Sequence, residues 1–280
     1  MISKPVALLV LLAALMHAGW NYLIKVSDDR LVDMVGVALG ASLIAACLLP
    51  FVPFPERAAW PWLAITLLVH VGYFVGIVET YRHGDLSIAY PLMRGLAPVL
   101  VALAAPLLGE HLTPSLGLGI ALVGSGIMLP AWLARRHGTL RRSSIGYAVM
   151  SSAIIACYTL SDGMGVRRAG SAVGYTLWLF FLNAWGFFAL AWWRRRGRFI
   201  DGLRQRWRAS LSGGALSIGA YGIALWAMTV ASIPAVAALR ETSVIFAALL
   251  GTWILKEHMG RVRLVGAALV ALGAIAVRLA

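Results

Sequence analysis

Apolar stretches of about twenty residues recur along the whole chain, separated by short polar connections. They centre on residues 5–24, 32–52, 60–80, 87–108, 113–133, 144–164, 172–193, 211–230, 233–255 and 261–279. A helix needs about twenty apolar residues to cross the hydrocarbon of a bilayer. The pattern therefore predicts an all-α polytopic membrane protein with ten transmembrane helices.

The composition leads to the same class. Hydrophobic residues make up 61% of the chain and charged residues 12%, and the mean hydropathy is +0.84. The longest polar connection, residues 194–208, is too short to build a soluble core. The first apolar stretch is interpreted as a span rather than a cleaved leader peptide, because no small-residue cleavage site follows it cleanly. The bilayer is thus an expected partner of nearly the whole chain.

An internal repeat relates the two halves. Residues 84–128 align without gaps to residues 231–275, with ten identical positions that include Glu110/Glu257, Gly119/Gly266 and Gly126/Gly273. Each copy reads as an apolar helix, a polar turn containing Glu-His, and a second apolar helix. We expect two five-helix repeats, residues 1–137 and 138–280. Since five is odd, the second repeat enters the membrane with opposite polarity, which is the inverted-repeat plan of many secondary transporters.

Basic residues are distributed unevenly between alternate connections. Of the 24 lysines and arginines, seventeen lie in the connections after odd-numbered spans and five lie on the other side. The positive-inside rule then predicts that the arginine-rich loops are cytoplasmic and both termini are outside, in a multi-pass protein of the cell (inner) membrane. Lipid headgroups and the membrane potential explain the net charge of +13 better than nucleic acid does, so no nucleic-acid partner is expected.

Two arginines lie inside predicted spans. Arg94 is in the fourth span, and Arg240, followed by Glu241, is in the ninth. The ungapped repeat equates Arg94 with Glu241, whereas a one-residue slip pairs the two arginines, and both registers stay open. Arginine in hydrocarbon normally faces a cavity or a partner, and a guanidinium forms paired hydrogen bonds to carboxylate or phosphate. The arginines are therefore predicted to bind an anionic solute group. The alternative is that they pair with Glu241 or Asp162 and lock helices together.

Further polar side chains share helical faces in other spans. A spacing of four residues places His17 and Asn21 on one face of the first span, and Tyr158 and Asp162 on one face of the sixth. The candidate substrate-binding residues besides Arg94 and Arg240 are Glu241, His17, Asn21, His70, Tyr73, Tyr158, Asp162 and Tyr221. Helix–helix hydrogen bonds and aromatic packing are the alternative roles for these residues. In the fourth span, Pro91, Pro98 and Pro106 are expected to interrupt the helix.

Two carboxylates, Asp162 and Glu241, lie within predicted spans. A carboxylate in a low-dielectric environment can titrate close to neutral pH. Both are therefore candidates to carry a coupling proton, and a salt bridge to Arg94 is the alternative role for Glu241.

Motifs of catalysis, metal binding and nucleotide hydrolysis are missing from the sequence. It contains no His-Glu-x-x-His helix, no Gly-x-Ser-x-Gly elbow and no Walker loop. Cys47 and Cys157 are the only cysteines, and both lie in apolar runs. We expect no catalytic residues, no metal site, no cofactor and no enzymatic activity. An intramembrane enzyme built from scattered residues is the least favoured alternative.

The runs Leu107 to Thr113 and Leu255 to Met259, each followed by a glycine-rich closing span, resemble the repeat endings of the drug/metabolite transporter superfamily, in its ten-span EamA-like branch. The resemblance covers the whole length. It implies a secondary transporter of small metabolites, commonly an exporter, with a central cavity lined by spans 1–4 and 6–9. In the related sugar-phosphate translocators, basic residues on spans four and nine hold phosphate, which points to Arg94 and Arg240. Typical EamA-like members have cytoplasmic termini, so the orientation predicted from charge departs from the family pattern.

The predicted function is secondary transport, by alternating access, of a small anionic or zwitterionic organic metabolite, with export as the expected direction. A lipid-intermediate flippase of the same fold is the alternative, since an arginine-lined cavity also suits a lipid phosphate. The expected partners are the solute and a proton as candidate coupling ion, and the expected assembly is a monomer or a homodimer.

Overall fold

A computed structural model describes residues 2–27, 29–83, 86–135, 142–195, 197, 199–254, 256 and 260–280. Within these ranges, side chains are described except at 74–83, 86–89, 134–135, 142–144 and 194. The described part of the chain consists of helices and their connections, with no strand in it. The prediction of an all-α protein is confirmed.

Twelve α-helices occur in the described ranges. They are α1 (Lys4–Lys25), α2 (Arg30–Leu48), α3 (Trp60–His83), α4 (Leu86–Ala104), α5 (Pro114–Arg135), α6 (Arg142–Arg167), α7 (Ala172–Arg195), α8 (Ile200–Gln205), α9 (Trp207–Val230), α10 (Ile233–Arg240), α11 (Ser243–Trp253) and α12 (Arg261–Leu279). Short 3₁₀ turns at Leu49–Phe51 and Ala105–Leu108 extend α2 and α4, and a third, Arg57–Ala59, precedes α3.

Nine stretches among the described residues are long and apolar enough to cross a membrane. They correspond to nine of the ten predicted spans. The remaining predicted span, residues 60–80, coincides with α3, in which the side chains of 74–83 lie outside the described ones.

Local chemistry explains several helix boundaries. The Asp29 carboxylate accepts a hydrogen bond from the Val32 amide at 3.3 Å and caps α2. Gly109, at φ +83°, adopts the left-handed conformation that ends the fourth span. Pro234 lies in the first turn of α10, where its missing N–H removes no helical hydrogen bond.

The discontinuous span is the ninth, not the fourth. The expectation that prolines interrupt the fourth span is wrong for Pro91 and Pro98, because α4 continues through both. Membrane helices tolerate a single missing backbone hydrogen bond where neighbouring helices pack closely. The break falls between α10 and α11, where the Glu241 and Thr242 amides each bond a carbonyl three residues back at 3.1 Å. This tight turn places Arg240 and Glu241 at an interruption inside the membrane.

The closing helices α5 and α12 pack through glycines that the internal repeat relates. A Cβ atom added at Gly126 would lie 2.6 Å from the Gly266 carbonyl oxygen, and one added at Gly266 would lie 2.6 Å from the Gly126 carbonyl oxygen. Gly119 and Gly273 approach each other in the same way. Side chains at these positions would force the two helices apart, so only glycine permits this contact.

Contacts between loops identify the two ends of the bundle. At one end, the Ile2 amide bonds the Arg278 carbonyl at 3.3 Å and the Glu56 amide bonds the Ala169 carbonyl at 3.2 Å. This end, called the terminal face, also carries the connection between α9 and α10. The opposite end carries the connections after α1 and α7 and is called the arginine-rich face.

Ion pairs tie helices together at the arginine-rich face. Arg195 at the end of α7 pairs with Asp29 before α2. The Arg206 Nε donates to the Asp33 Oδ1 at 2.7 Å, which joins the start of α9 to α2. Both pairs involve α2, so they hold one side of this face.

Candidate functional site

A cavity of about 230 Å³ lies at the centre of the bundle, between α1, α2, α3, α4, α6, α7, α9 and α10. Most of its wall is apolar or aromatic. The polar and charged side chains on it are His17, Asn21, His70, Tyr73, Tyr90, Arg94, Tyr158, Asn183, Ser217, Tyr221 and Arg240.

The cavity extends toward the arginine-rich face. Its lining includes His17 to Ile24, which lead to the end of α1, and Met34 to Ala38, which follow the start of α2. Tyr90 and Arg94 lie in the first turns of α4. All these segments approach the same face of the bundle.

The structure brings most of the predicted site residues to this cavity. Eight of the ten line it: His17, Asn21, His70, Tyr73, Arg94, Tyr158, Tyr221 and Arg240. The other two, Glu241 and Asp162, lie behind the wall, each in contact with a residue that forms it. The two carboxylates are therefore not in the lining itself.

Arg94 and Glu241 form a buried ion pair between α4 and the break in the ninth span. The Arg94 Nη2 lies 3.1 Å from the Glu241 Oε2, and each side chain is only 8% exposed. The Arg94 Nε and the Glu241 Oε2 are both buried, and neither has a hydrogen-bond partner among the described residues. Glu241 therefore neutralises the Arg94 charge while part of the guanidinium stays unsatisfied.

His17 is placed between two hydrogen-bond donors. The Trp20 Nε1 donates to its Nδ1 at 3.3 Å, and the Arg94 Nη2 lies 3.4 Å from its Nε2. Neither neighbour can accept a hydrogen bond, and an imidazole with one proton accepts at only one nitrogen. The N–H of the His17 imidazole therefore has no acceptor in Trp20 or Arg94, whichever ring nitrogen carries the proton.

Arg240, at the end of α10, contacts an aromatic face instead of an acid. Its guanidinium carbon lies 4.7 Å from the centre of the Tyr221 ring, in a cation–π contact. No carboxylate among the described side chains lies within ion-pair distance of it. Arg240 thus presents a cationic group to the cavity.

Asp162 is fully buried beneath two tyrosines. Its Oδ1 accepts from the Tyr175 hydroxyl at 3.0 Å and its Oδ2 from the Tyr221 hydroxyl at 2.5 Å. These hydrogen bonds join α6 to α7 and α9. Tyr221 therefore separates Asp162 from the cavity and at the same time supports Arg240.

Stacked rings form another part of the wall. His70 lies over Tyr158 with ring centroids 4.4 Å apart and an interplanar angle of 26°. Tyr73 meets Tyr158 edge-on at 5.8 Å. The His70 Nδ1 is 3.0 Å from the Thr66 carbonyl oxygen, which fixes the orientation of the imidazole. These three rings form an aromatic part of the cavity wall.

Twelve lining residues were not among the predicted ones. The polar or aromatic ones among them are Trp20, Tyr90, Phe180, Asn183, Phe187 and Ser217. Asn183 could have been predicted from the sequence, because it is an amide within an apolar run, as Asn21 is. The aromatic residues carried none, because rings at helical spacing are common in lipid-facing and packing positions as well.

A polar cluster closes the terminal face. Arg167, at the end of α6, pairs with Glu110 in the loop after the fourth span. Its Nε also donates to the Met228 carbonyl at 2.7 Å, and its Nη2 donates to the Ala231 carbonyl at 2.9 Å. The second Glu110 oxygen accepts from the Ile233 amide at 3.2 Å. We call Glu110 and Arg167 with these partners the terminal lock, because it joins α6, α9 and α10 across that face.

The repeat counterparts of Glu110 and His111, which are Glu257 and His258, lie outside the described residues. Among the described residues, no group of three or more His, Cys, Asp or Glu side chains could hold a metal ion.

Comparison with known proteins places this arrangement in context. Residues 142–279 match the model of the EamA-like transporter family. A solved crystal structure of another protein aligns with 99% of this chain and 97% of its own, with a TM-score of 0.75 and 16% sequence identity. At that identity the likeness shows the fold alone. No functionally curated protein matches the chain.

Proposed function

We propose that this chain, whose residues 142–279 match the EamA-like transporter family, is a transporter of that kind and exports a small anionic or zwitterionic organic metabolite by secondary transport. The family match and the many apolar helices support a multi-pass membrane transporter. The observation that supports the solute class is Arg240, a cation on the cavity wall that contacts an aromatic ring and no described carboxylate.

The cavity supports a solute site in the middle of the bundle. Arg94 and Arg240 reach the same cavity from α4 and α10, and Arg240 lies at a helix break. Transporters with inverted repeats bind their solutes near the midplane, where discontinuous helices meet. We assign the anionic group of the solute to Arg240, with Arg94, His17, Asn21, His70, Tyr73, Tyr158 and Tyr221 around it.

Helix contacts support two repeats, residues 1–137 and 138–280, related by a local two-fold axis. Gly119 contacts Gly273, and their repeat counterparts Gly266 and Gly126 contact each other, which is the exchange that a two-fold axis produces. Helix α3 packs on α6, and their repeat counterparts α9 and α1 also pack on each other. Helix α4 packs on α6, and their counterparts, the pair α10 and α11 and the helix α1, pack on each other in the same way.

The two ends of the cavity support alternating access. The cavity extends toward the arginine-rich face, and the terminal lock joins three helices at the other face. With the arginine-rich loops in the cytoplasm, an exported solute enters this cavity from the cytoplasm. Opening the terminal lock releases it on the other side.

A proton is the proposed coupling ion, and Asp162 is its proposed carrier. The hydrogen-bond partners of this carboxylate are the Tyr175 and Tyr221 hydroxyls, and the His70 imidazole on α3 interacts with it electrostatically, whereas Glu241 forms an ion pair with Arg94. Asp162→Asn is expected to abolish pH-driven transport and to leave solute exchange intact, because the amide cannot take up a proton. Counterflow and pH-jump assays in liposomes separate the two activities. Glu241→Gln is the comparison variant, and unchanged pH dependence in Asp162→Asn would remove Asp162 as the carrier.

Transport by the purified protein in liposomes tests the proposed function. A mixture of small organic anions and amino acids is loaded inside, and their protein-dependent release is measured. Release of a soluble solute is the expected result. Lipid scrambling without solute release would favour the flippase, which the comparisons do not support, and conversion of a solute would favour an enzyme.

A further inference from the structure

We infer that the solute is a net anion with a planar, aromatic or conjugated body, and that zwitterions of the same shape bind poorly. This rests on the proposed function and narrows its solute class. It follows from the contacts that the charged side chains and aromatic rings around the cavity already make within the protein.

The charges on the wall favour an anion. Glu241 neutralises Arg94 at 3.1 Å, so that pair adds no net charge. Arg240 has a ring as its contact and no described carboxylate within ion-pair distance. One guanidinium is therefore left to pair with a carboxylate of the solute, in the two-bonded geometry that a fixed guanidinium allows.

His17 adds a second donor for the same group. Its two ring nitrogens face Trp20 and Arg94, which are both donors, so neither of them can accept the imidazole proton. A solute oxygen at this end of the cavity would accept from the imidazole. A hydrogen-bond donor at this position favours a carboxylate over an ammonium.

An ammonium group finds its natural partners already used. Of the two carboxylates next to the cavity, Glu241 is paired and Asp162 lies behind Tyr221. Aromatic faces can also bind ammonium. However, the Arg240 guanidinium already lies over the Tyr221 ring, and its positive charge opposes an ammonium at that part of the wall. A zwitterion would lose the hydration of its ammonium without a matching partner, which costs binding free energy.

The rings explain the planar body. The rings of His70 and Tyr158 stack, and Tyr73 meets Tyr158 edge-on, so three rings contribute to the cavity wall. A planar ring of the solute gains contact area and favourable stacked or edge-on geometry against such rings. A cavity of about 230 Å³ suits a solute with one ring and a short acidic side chain.

Four probes with related skeletons separate charge from shape. They are 3-phenylpropionate (anion), phenylalanine (zwitterion), phenethylamine (cation) and 3-cyclohexylpropionate (anion with a puckered ring). The shift in thermal unfolding midpoint of the full-length protein is titrated with each at pH 7. We expect 3-phenylpropionate to bind at least about tenfold more tightly than the other three, which corresponds to one missing charged or stacking contact.

Variants connect the result to the cavity. Arg240→Gln is expected to remove the response to 3-phenylpropionate, and Arg240→Lys should weaken it. Arg204→Gln is the matched control, because Arg204 has an 80% exposed side chain and lies outside the cavity. A full response in a folded Arg240→Gln or Arg240→Lys variant would overturn the assignment to Arg240.

Each remaining outcome also decides the inference. Phenylalanine or phenethylamine binding as tightly as 3-phenylpropionate would overturn the preference for a net anion. Equal binding of 3-cyclohexylpropionate would overturn the planar body. If none of the four binds while the liposome assay shows release of another solute, this inference fails and the proposed function stands. If the liposome assay shows no solute released, the proposed function itself fails.

Discussion

Replacing Arg94 with methionine is expected to destabilise the protein by about 3–5 kcal/mol, since removal of one partner leaves a buried charge uncompensated. Glu241 is the charge that would be left, and its side chain is only 8% exposed. Its position at the break between α10 and α11 offers no described cation in place of Arg94 within ion-pair distance. The measurement is unfolding of the purified variant in detergent, compared with the wild type.

The double variant Arg94→Met with Glu241→Leu is the control. Replacing a whole buried ion pair by apolar side chains of similar volume is often close to neutral. The double variant should therefore recover most of the stability that the single variant lacks. Equal stability of wild type and Arg94→Met would show that the pair does not hold α4 against the ninth span.

Replacing Arg240 is expected to act on the solute instead of the fold. Arg240→Gln should reduce solute affinity about 10- to 100-fold, because a hydrogen-bonded charged contact contributes about 1.5–3 kcal/mol. Arg240→Lys should retain only part of the affinity, since the charge remains but the planar fork is absent. Solute concentration dependence of transport in liposomes measures the effect.

The two arginine positions thus separate two roles. In Arg240→Gln the unfolding midpoint should stay near that of the wild type, because the substitution removes a cation–π interaction with the Tyr221 ring at the cavity wall and breaks no described ion pair. If the decrease in transport instead tracks a decrease in stability, Arg240 acts as a helix lock. Normal solute affinity in a well-folded Arg240→Ala variant would show that Arg240 does not bind the solute. The candidates would then be His17, Asn21, His70 and Tyr158.

Much of the fold was predictable because bilayer thickness fixes the length of a span. Helices such as α1 (Lys4–Lys25) and α12 (Arg261–Leu279) differ from the predicted stretches by only one residue or less at each end. The same argument places Arg94 and Arg240 near a cavity, since a guanidinium cannot face lipid at low cost. Eight of the ten predicted residues lie on that one cavity, because polar groups within spans also tend to face the interior of the bundle.

The rest depends on packing that one-dimensional patterns do not contain. Spacing alone put Asp162 on the same face as Tyr158, but the hydroxyls of Tyr175 and Tyr221 hold it behind the wall. The helix break was expected from the prolines of α4 and occurs instead at Glu241, where the ion pair with Arg94 stabilises a turn. The Glu110 of the repeat motif gave no hint of its partner Arg167, which comes from a different helix.

The orientation in the membrane and the direction of transport stay predictions. Both depend on which face is cytoplasmic. The central claim is that the cavity opens to one face of the bundle at a time, and it holds for either orientation.

Accessibility of a single cysteine on the cavity wall tests that claim most directly. Cys47 and Cys157, which are exposed, are replaced by serine, and Ser217→Cys is introduced into the cavity lining. A membrane-impermeant thiol reagent is then applied to each side of oriented vesicles. The account predicts labelling from the arginine-rich face, and a gain of labelling from the terminal face when Glu110→Gln weakens the terminal lock. Labelling from the terminal face alone, or from both faces equally with and without Glu110→Gln, would contradict it.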